Sequence, residues 1–148
     1  MISNYNEVMD SNDVISLISK IRGKINRFIV SELSKQGIDG IVTSHGDIIF
    51  ALFKKSRLTM AEIAERIGRD KSTITALVDK LVRLGYVVKE RDTEDTRVVY
   101  VSLTNRGNEL KPIFEAISAE ILTVFYLDIS KKEKEELISI LNRIYKNF

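Results

Sequence analysis

Between Ala61 and Leu81 the chain carries two short amphipathic segments separated by one glycine, and nothing else in the sequence restricts the fold as strongly. Thr59 reads as a helix N-cap, and Glu62, three residues on, completes a capping box. Met60, Ile63, Ala64 and Ile67 then recur at helical spacing and stop at Gly68. Asp70 is a good N-cap for a second helix, in which Ile74, Leu77, Val78 and Leu81 form an apolar stripe that ends before Gly85. Two helices crossing at a tight turn need a small residue at their closest approach, a glycine in the turn and apolar anchors. Ala64, Gly68 and the trio Ile63, Ile74 and Leu77 fill those positions, which is helix-turn-helix spacing.

If the stripe points inward, Ser72, Ala76, Asp79 and Arg83 point outward, with Lys71, Thr73, Thr75 and Lys80 on the flanks. Short hydroxyls near a helix N-terminus can reach base edges, which assigns Ser72, Thr73 and Thr75 to bases. Arg69, Lys71, Lys80 and Arg83 suit phosphates, which set position rather than sequence. The same pattern also fits an ordinary solvated surface helix, and periodicity alone leaves both readings open. Directly afterwards the period changes to that of strands. Tyr86-Val87-Val88 leads out, Asp92-Thr93-Glu94-Asp95 is turn material, and Val98 to Leu103 leads back. A hairpin with a charged tip after such a helix has the order of a wing. Arg97 near the tip suits a narrow minor groove, and Asp95 can orient it through a bidentate pair. The plain alternative is a surface salt bridge.

The remaining segments are helical. Val14 to Leu33 carries one apolar stripe, which Gly37, Asp39 and Gly40 interrupt. Thr43 and Ser44 are candidate N-caps for a helix presenting Ile48, Ile49, Leu52 and Phe53. Thr104 caps a long helix through Phe125, in which Pro112 predicts either a kink or a late start. Ser130 caps a last helix carrying Leu137, Leu141, Ile144 and Phe148. The fold class expected is mainly α with a small β-hairpin wing.

Charge supports a central nucleic-acid face. Residues 54–106 hold 12 Lys or Arg against 8 Asp or Glu, while each flank carries a net charge of −1. With no cysteine, thiol chemistry and disulfides are excluded. One histidine, no glycine-rich phosphate loop and no clustered carboxylate pair leave little for an enzyme, and no cofactor or metal is expected. His45 reads as structural, with a ligand role as the alternative. No apolar run approaches the roughly 20 residues of a membrane span, and the first residues lack a signal-peptide layout, so a cytoplasmic protein without a membrane partner is expected. A winged helix used only for protein contact would favour an apolar or acidic outer face, and the hydroxyl and basic residues speak against it.

The stretch Leu58 to Gly107 closely resembles the MarR family of bacterial winged-helix regulators. The matching elements are Leu58-Thr59, Ile63-Ala64, Leu77-Val78-Asp79-Lys80-Leu81, Gly85-Tyr86-Val87, Arg91-Asp92, Asp95-x-Arg97 and Leu103-Thr104-x-x-Gly107. The resemblance implies a single domain over residues 1–148. Residues 43–103 would form a winged helix-turn-helix lobe, flanked by dimerisation helices at 10–36 and 104–148. It implies a homodimeric repressor of a palindromic operator in double-stranded DNA, with Ile21, Ile25, Ile117, Ile121, Leu137, Leu141 and Ile144 packed across the two-fold. It further implies release by a small aromatic or phenolic effector in a crevice drawing on Ile21, Ile25, Phe28, Ile49, Phe50 and Phe53. Each of these six also reads as plain core. Relatives that sense peroxides use cysteine, which this chain lacks.

Overall fold

The computed structural model describes residues 10–148; the expected domain start and the absence of an export signal concern residues 1–9, which lie outside the described residues. In chain order the elements are α1 (Val14–Lys35), α2 (Thr43–Lys54), β1 (Leu58–Thr59), α3 (Met60–Ile67), α4 (Lys71–Arg83), β2 (Val87–Arg91), β3 (Val99–Leu103), α5 (Asn105–Asn108), α6 (Lys111–Phe125) and α7 (Lys131–Tyr145). The chain is mostly helical, with one small antiparallel sheet of order β1-β3-β2. It divides into two compact units, one ending at Ile113 and one running from Phe114 to Phe148.

In the first unit, the core gathers the inward stripes of α2, α3 and α4 onto the sheet. Ile48 and Ile49 of α2, Ile63 of α3, and Ile74, Val78 and Leu81 of α4 are all fully buried, together with Leu58, Val87 and Val101. Fully burying each such side chain contributes about 1.5–3 kcal/mol. Leu77, expected as an anchor, is half-buried. The turn between α3 and α4 forms at Gly68, whose φ of 68° belongs to the left-handed region that a side chain disfavours. Its N–H and that of Arg69 both donate to the Ala64 carbonyl, at 3.0 and 3.3 Å, which closes α3.

Strand β3 is the centre of the sheet. It pairs with β2 from Val87↔Leu103 to Arg91↔Val99, and with β1 at Leu58↔Val101 and Thr59↔Tyr100. Strand β1 was not expected, because two residues are too few to show alternation. Thr59 serves twice, pairing in the sheet and capping α3 by accepting the Glu62 N–H at 3.1 Å. Strand β2 also runs further than Val88, with Lys89, Glu90 and Arg91 exposed and paired with β3.

Two helix starts differ from the sequence reading. The N-cap of α2 is Val42, and Thr43 is its first helical residue. A valine cannot cap with its side chain, so His45 does the reciprocal work: its Nδ1 accepts the Val42 N–H at 3.0 Å. The Thr43 hydroxyl instead donates to Asn26 Oδ1 of α1 at 2.6 Å. The long helix from Thr104 is broken into α5 and α6, with Glu109 and Leu110 between them. Pro112 is thereby the second residue of α6, where its missing N–H costs no helical hydrogen bond. Of the two outcomes expected for Pro112, the late start is the one realised.

In the second unit, α7 begins with a full capping box. Ser130 Oγ accepts the Glu133 N–H and Glu133 Oε1 accepts the Ser130 N–H, both at 3.1 Å. No residue of α7 is buried, and Ile138, Leu141 and Ile144 are exposed. Ile117 of α6, expected to pack across a two-fold, is buried within the single chain instead.

A close backbone approach closes the first unit. A Cβ on Gly107 would lie 2.1 Å from the Tyr86 carbonyl oxygen and 2.9 Å from Leu103. The clash is with backbone, which cannot step aside as a flexible side chain would. Gly107→Ala is therefore expected to destabilise the fold by about 3 kcal/mol, at the top of the usual overpacking range. Urea denaturation followed by circular dichroism measures it, and a variant of native stability would refute the close approach.

Candidate nucleic-acid interface

The exposed side of α4 begins with its cap. Asp70 Oδ1 accepts the Thr73 N–H at 2.8 Å and the Ser72 hydroxyl at 2.7 Å, and Asp70 Oδ2 accepts the Thr73 hydroxyl at 3.0 Å. These donors, the Thr73 N–H foremost, hold the Asp70 carboxyl at about 2. The Thr75 hydroxyl donates to the Lys71 carbonyl at 2.8 Å. So all three hydroxyls assigned to bases have their protons turned back onto the protein. What they present outward is oxygen lone pairs, which match the exocyclic amines of adenine and cytosine in a major groove.

The charged positions sort differently from the simple helical wheel. Arg69, Lys71 and Arg83 are exposed. Lys80 is half-buried and turned away: a methyl group on Gly40 would meet its Nζ at 3.4 Å, so the chain lies against that turn. Asp79 is half-exposed on the outward side and is paired with Lys89 of β2 at 2.6 Å. That ion pair joins the helix to the hairpin, and no local spacing announced it, because its partners come from different elements.

The tip of the hairpin is held by its own side chains. Arg97 donates from Nε to Asp95 Oδ1 at 3.0 Å and from Nη2 to Oδ2 at 3.1 Å, while its backbone N–H donates to the same Oδ1 at 3.1 Å. This hydrogen bonding from Arg97 lowers the Asp95 carboxyl pKa. The arginine side chain nevertheless remains 89% exposed. Arg91, given no role in the sequence reading, donates to the Thr96 carbonyl at 2.7 Å and braces the tip from the other strand.

The residues assigned to an effector crevice are dispersed in burial. Ile49 is fully buried, Ile21 is exposed, and Ile25, Phe28, Phe50 and Phe53 are half-buried. Phe50 and Phe53 meet edge to face at 5.8 Å. Phe53 also lines a crevice of about 330 Å³ with Leu52, Ser56, Leu103, Asn108 and Lys111. His45 is buried against the start of α2, and burial, then the positive charge of Lys80, lowers its pKa.

With this geometry in hand, comparison with known proteins is informative. A family model described as the MarR family matches residues 33–98. An HTH-type transcriptional regulator SarZ of Staphylococcus haemolyticus is 33% identical over 100 residues, spanning 68% of this chain and 67% of that protein. The SarZ of Staphylococcus aureus is 32% identical over 102 residues, 68% of each chain. Among solved structures, a mutant MarR from E. coli complexed with operator DNA superposes with a TM-score of 0.79, at 20% identity over 92% of this chain and 99% of that one. A MepR–DNA complex from S. aureus gives 0.82, at 21% identity over 95% and 99%. The small sheet and the helices around it thus form a winged helix-turn-helix fold. Among the described residues no helix is long and apolar enough to cross a membrane.

The buried histidine makes stability depend on pH. His45 is the chain's single histidine, and its folded pKa lies below the ordinary 6.5. The native state then binds fewer protons than the unfolded chain, so stability is lost as pH falls through 6.5 toward the folded value. Protonation also removes the Nδ1 lone pair that holds the Val42 N–H. The melting temperature is expected to drop as pH falls below 6.5, and His45→Gln, whose amide oxygen can accept the same N–H without titrating, to flatten the drop. Equal pH dependence in the two proteins would overturn this role.

Proposed function

The chain belongs to the MarR family, which is one of transcriptional regulators, and on that premise we propose that it is a sequence-specific repressor. It binds a palindromic operator as a homodimer in the cytoplasm and is released by a small-molecule effector. The observation that carries the reading is the outer side of α4, where Ser72, Thr73 and Thr75 present acceptors beside the exposed Lys71 and Arg69. An acidic or apolar side would not suit a phosphate-lined groove.

Ser72, Thr73 and Thr75 then read base edges, while Arg69, Lys71 and Arg83 take phosphates. Lys80, lying on the Gly40 turn, drops out of that set. Arg97, held in one orientation by Asp95, enters the minor groove beside it. A two-fold dimer places its two α4 helices in successive major grooves about 34–36 Å apart, which makes the operator palindromic. The exposed apolar residues support the dimer: Ile15, Ile18 and Ile21 on α1, and Leu141 and Ile144 on α7. The effector is a small aromatic or phenolic compound seated by Phe28, Phe50 and Phe53, with Ile21 and Ile25 at its edge and Ile49 beneath. It acts by favouring a lobe spacing that no longer matches the grooves.

Two measurements test this reading. In a gel shift with the DNA upstream of its own gene, Arg97→Ala is expected to weaken specific binding about tenfold or more, the worth of one good groove contact. Lys71→Ala should weaken specific and non-specific duplexes alike. Intact operator binding by Arg97→Ala would remove the wing from the contact. In sedimentation equilibrium the native chain is expected to run as a dimer and Leu141→Asp to shift toward monomer; a native monomer would refute the homodimer.

A further inference from the structure

Apart from Arg69, the lining of a crevice of about 860 Å³ between α1 and the start of α2 has no part in the contacts assigned above. Arg22 and Arg27 of α1 line it, as do Thr43 and, from the turn before α4, Arg69. Its wall is braced without any ligand, because the Thr43 hydroxyl donates to Asn26 Oδ1 at 2.6 Å. Three arginines line one open concavity, and the nearby acids do not balance them. Asp47 lies within the field of Arg22 and Arg69, and Glu32 pairs with Lys35 on the rim at 2.6 Å. Four cations against two carboxylates leave an excess of +2.

Arg69 connects this crevice to the reading edge. It directly precedes Asp70, the N-cap of α4, so the concavity continues from the end of the helix that enters the groove. Phosphates border a major groove on both sides, and those beside the N-terminus of α4 run on past Arg69. Planar guanidinium forks match phosphate oxygens two at a time. We propose that Arg22 and Arg27 seat backbone phosphates of the DNA strand that passes Arg69, extending the footprint beyond α4 and the wing. This rests on the DNA-binding reading above. The contact carries no base information, so it adds affinity to any duplex and leaves sequence preference unchanged.

The salt dependence of binding counts such contacts. Each neutralised phosphate contributes about 0.9 to the log–log slope of affinity against salt, so losing two from each protomer of the dimer lowers its magnitude by about 3.6. Over a fourfold rise in salt, the dimeric variant should then lose about 150-fold less affinity than the native protein. The experiment measures fluorescence anisotropy against salt on two duplexes, the gene's own upstream region and a scrambled sequence of equal length. The native chain, Arg22→Gln with Arg27→Gln, Arg22→Lys with Arg27→Lys, and Lys71→Ala are compared. Both arginines are exposed, and matching thermal melts confirm that the variants fold. The glutamine pair is expected to flatten the slope equally on both duplexes, and the lysine pair to restore it. If Lys71→Ala flattens the slope and the glutamine pair does not, DNA binding stands and the crevice assignment fails. If the native chain binds neither duplex, the DNA reading itself fails and takes this inference with it. An arm with inorganic phosphate separates the remaining source. Saturable thermal stabilisation by the free ion, lost in the glutamine pair while the salt slope stays native, would assign the crevice to a free anion and overturn the backbone contact.

Discussion

The carbonyl groups of Gly85 and Tyr86 tie α4 to the hairpin, and the geometry of the whole lobe hangs on that tie. Thr104, at the end of β3, donates its hydroxyl to the Gly85 carbonyl at 2.6 Å and its N–H to the Tyr86 carbonyl at 3.0 Å. The same hydroxyl oxygen accepts the Gly107 N–H at 3.0 Å, so one threonine closes the sheet and opens α5. Gly107 can sit there only because it lacks a side chain. Net worth per hydrogen bond is about 1 kcal/mol, yet three bonds on one residue leave little freedom. Since β3 pairs with both neighbours, and Thr59 of β1 caps α3, the constraint spreads from the wing through the sheet to the helix-turn-helix.

Surface ion pairs finish the reading face without adding much stability. Asp79–Lys89 and Asp95–Arg97 are solvent-accessible, and such pairs are screened by salt. Their value lies in orientation. A free arginine loses rotamer freedom when it is fixed in a groove, whereas Arg97 is already held at both ends of its fork. Asp70 acts likewise on Ser72 and Thr73, fixing which way their lone pairs point. These side chains are ordered within the chain itself, so on the proposed reading binding a duplex costs less.

What was legible in the sequence is what repeats locally. The inward stripe of α4, the Ala64–Gly68 turn and the threonine caps of α3 and α5 all follow from spacing within one or two turns of helix. The features that escaped come from residues far apart in the chain or from elements too short to have a period. Strand β1 has two residues. The break at Glu109 and Leu110 hides in an apolar pattern that continues across it. Lys80 reads as outward-flanking on a wheel, but the Gly40 turn gives its aliphatic chain a surface to lie on. The Arg22–Arg27–Arg69 crevice joins segments whose net charges look unremarkable, and the first flank is even slightly acidic.

Helix α1 brings the proposed contacts into one rigid body. At 22 residues it is about 33 Å long, enough to serve two purposes along its length. Its first turns expose Ile15, Ile18 and Ile21, and Arg22 and Arg27 follow further along it. An isolated helix with so much exposed apolar surface is marginal in water, as is α7, which buries nothing. Both would gain from a partner surface, and the second copy proposed above would supply one. Once that surface is engaged, a shift of α1 moves the crevice arginines with it. Dimer geometry and backbone contact are then linked through one helix rather than through a chain of side-chain relays. On the proposed reading, a ligand that shifts α1 would disturb the backbone contact together with the spacing of the two α4 helices.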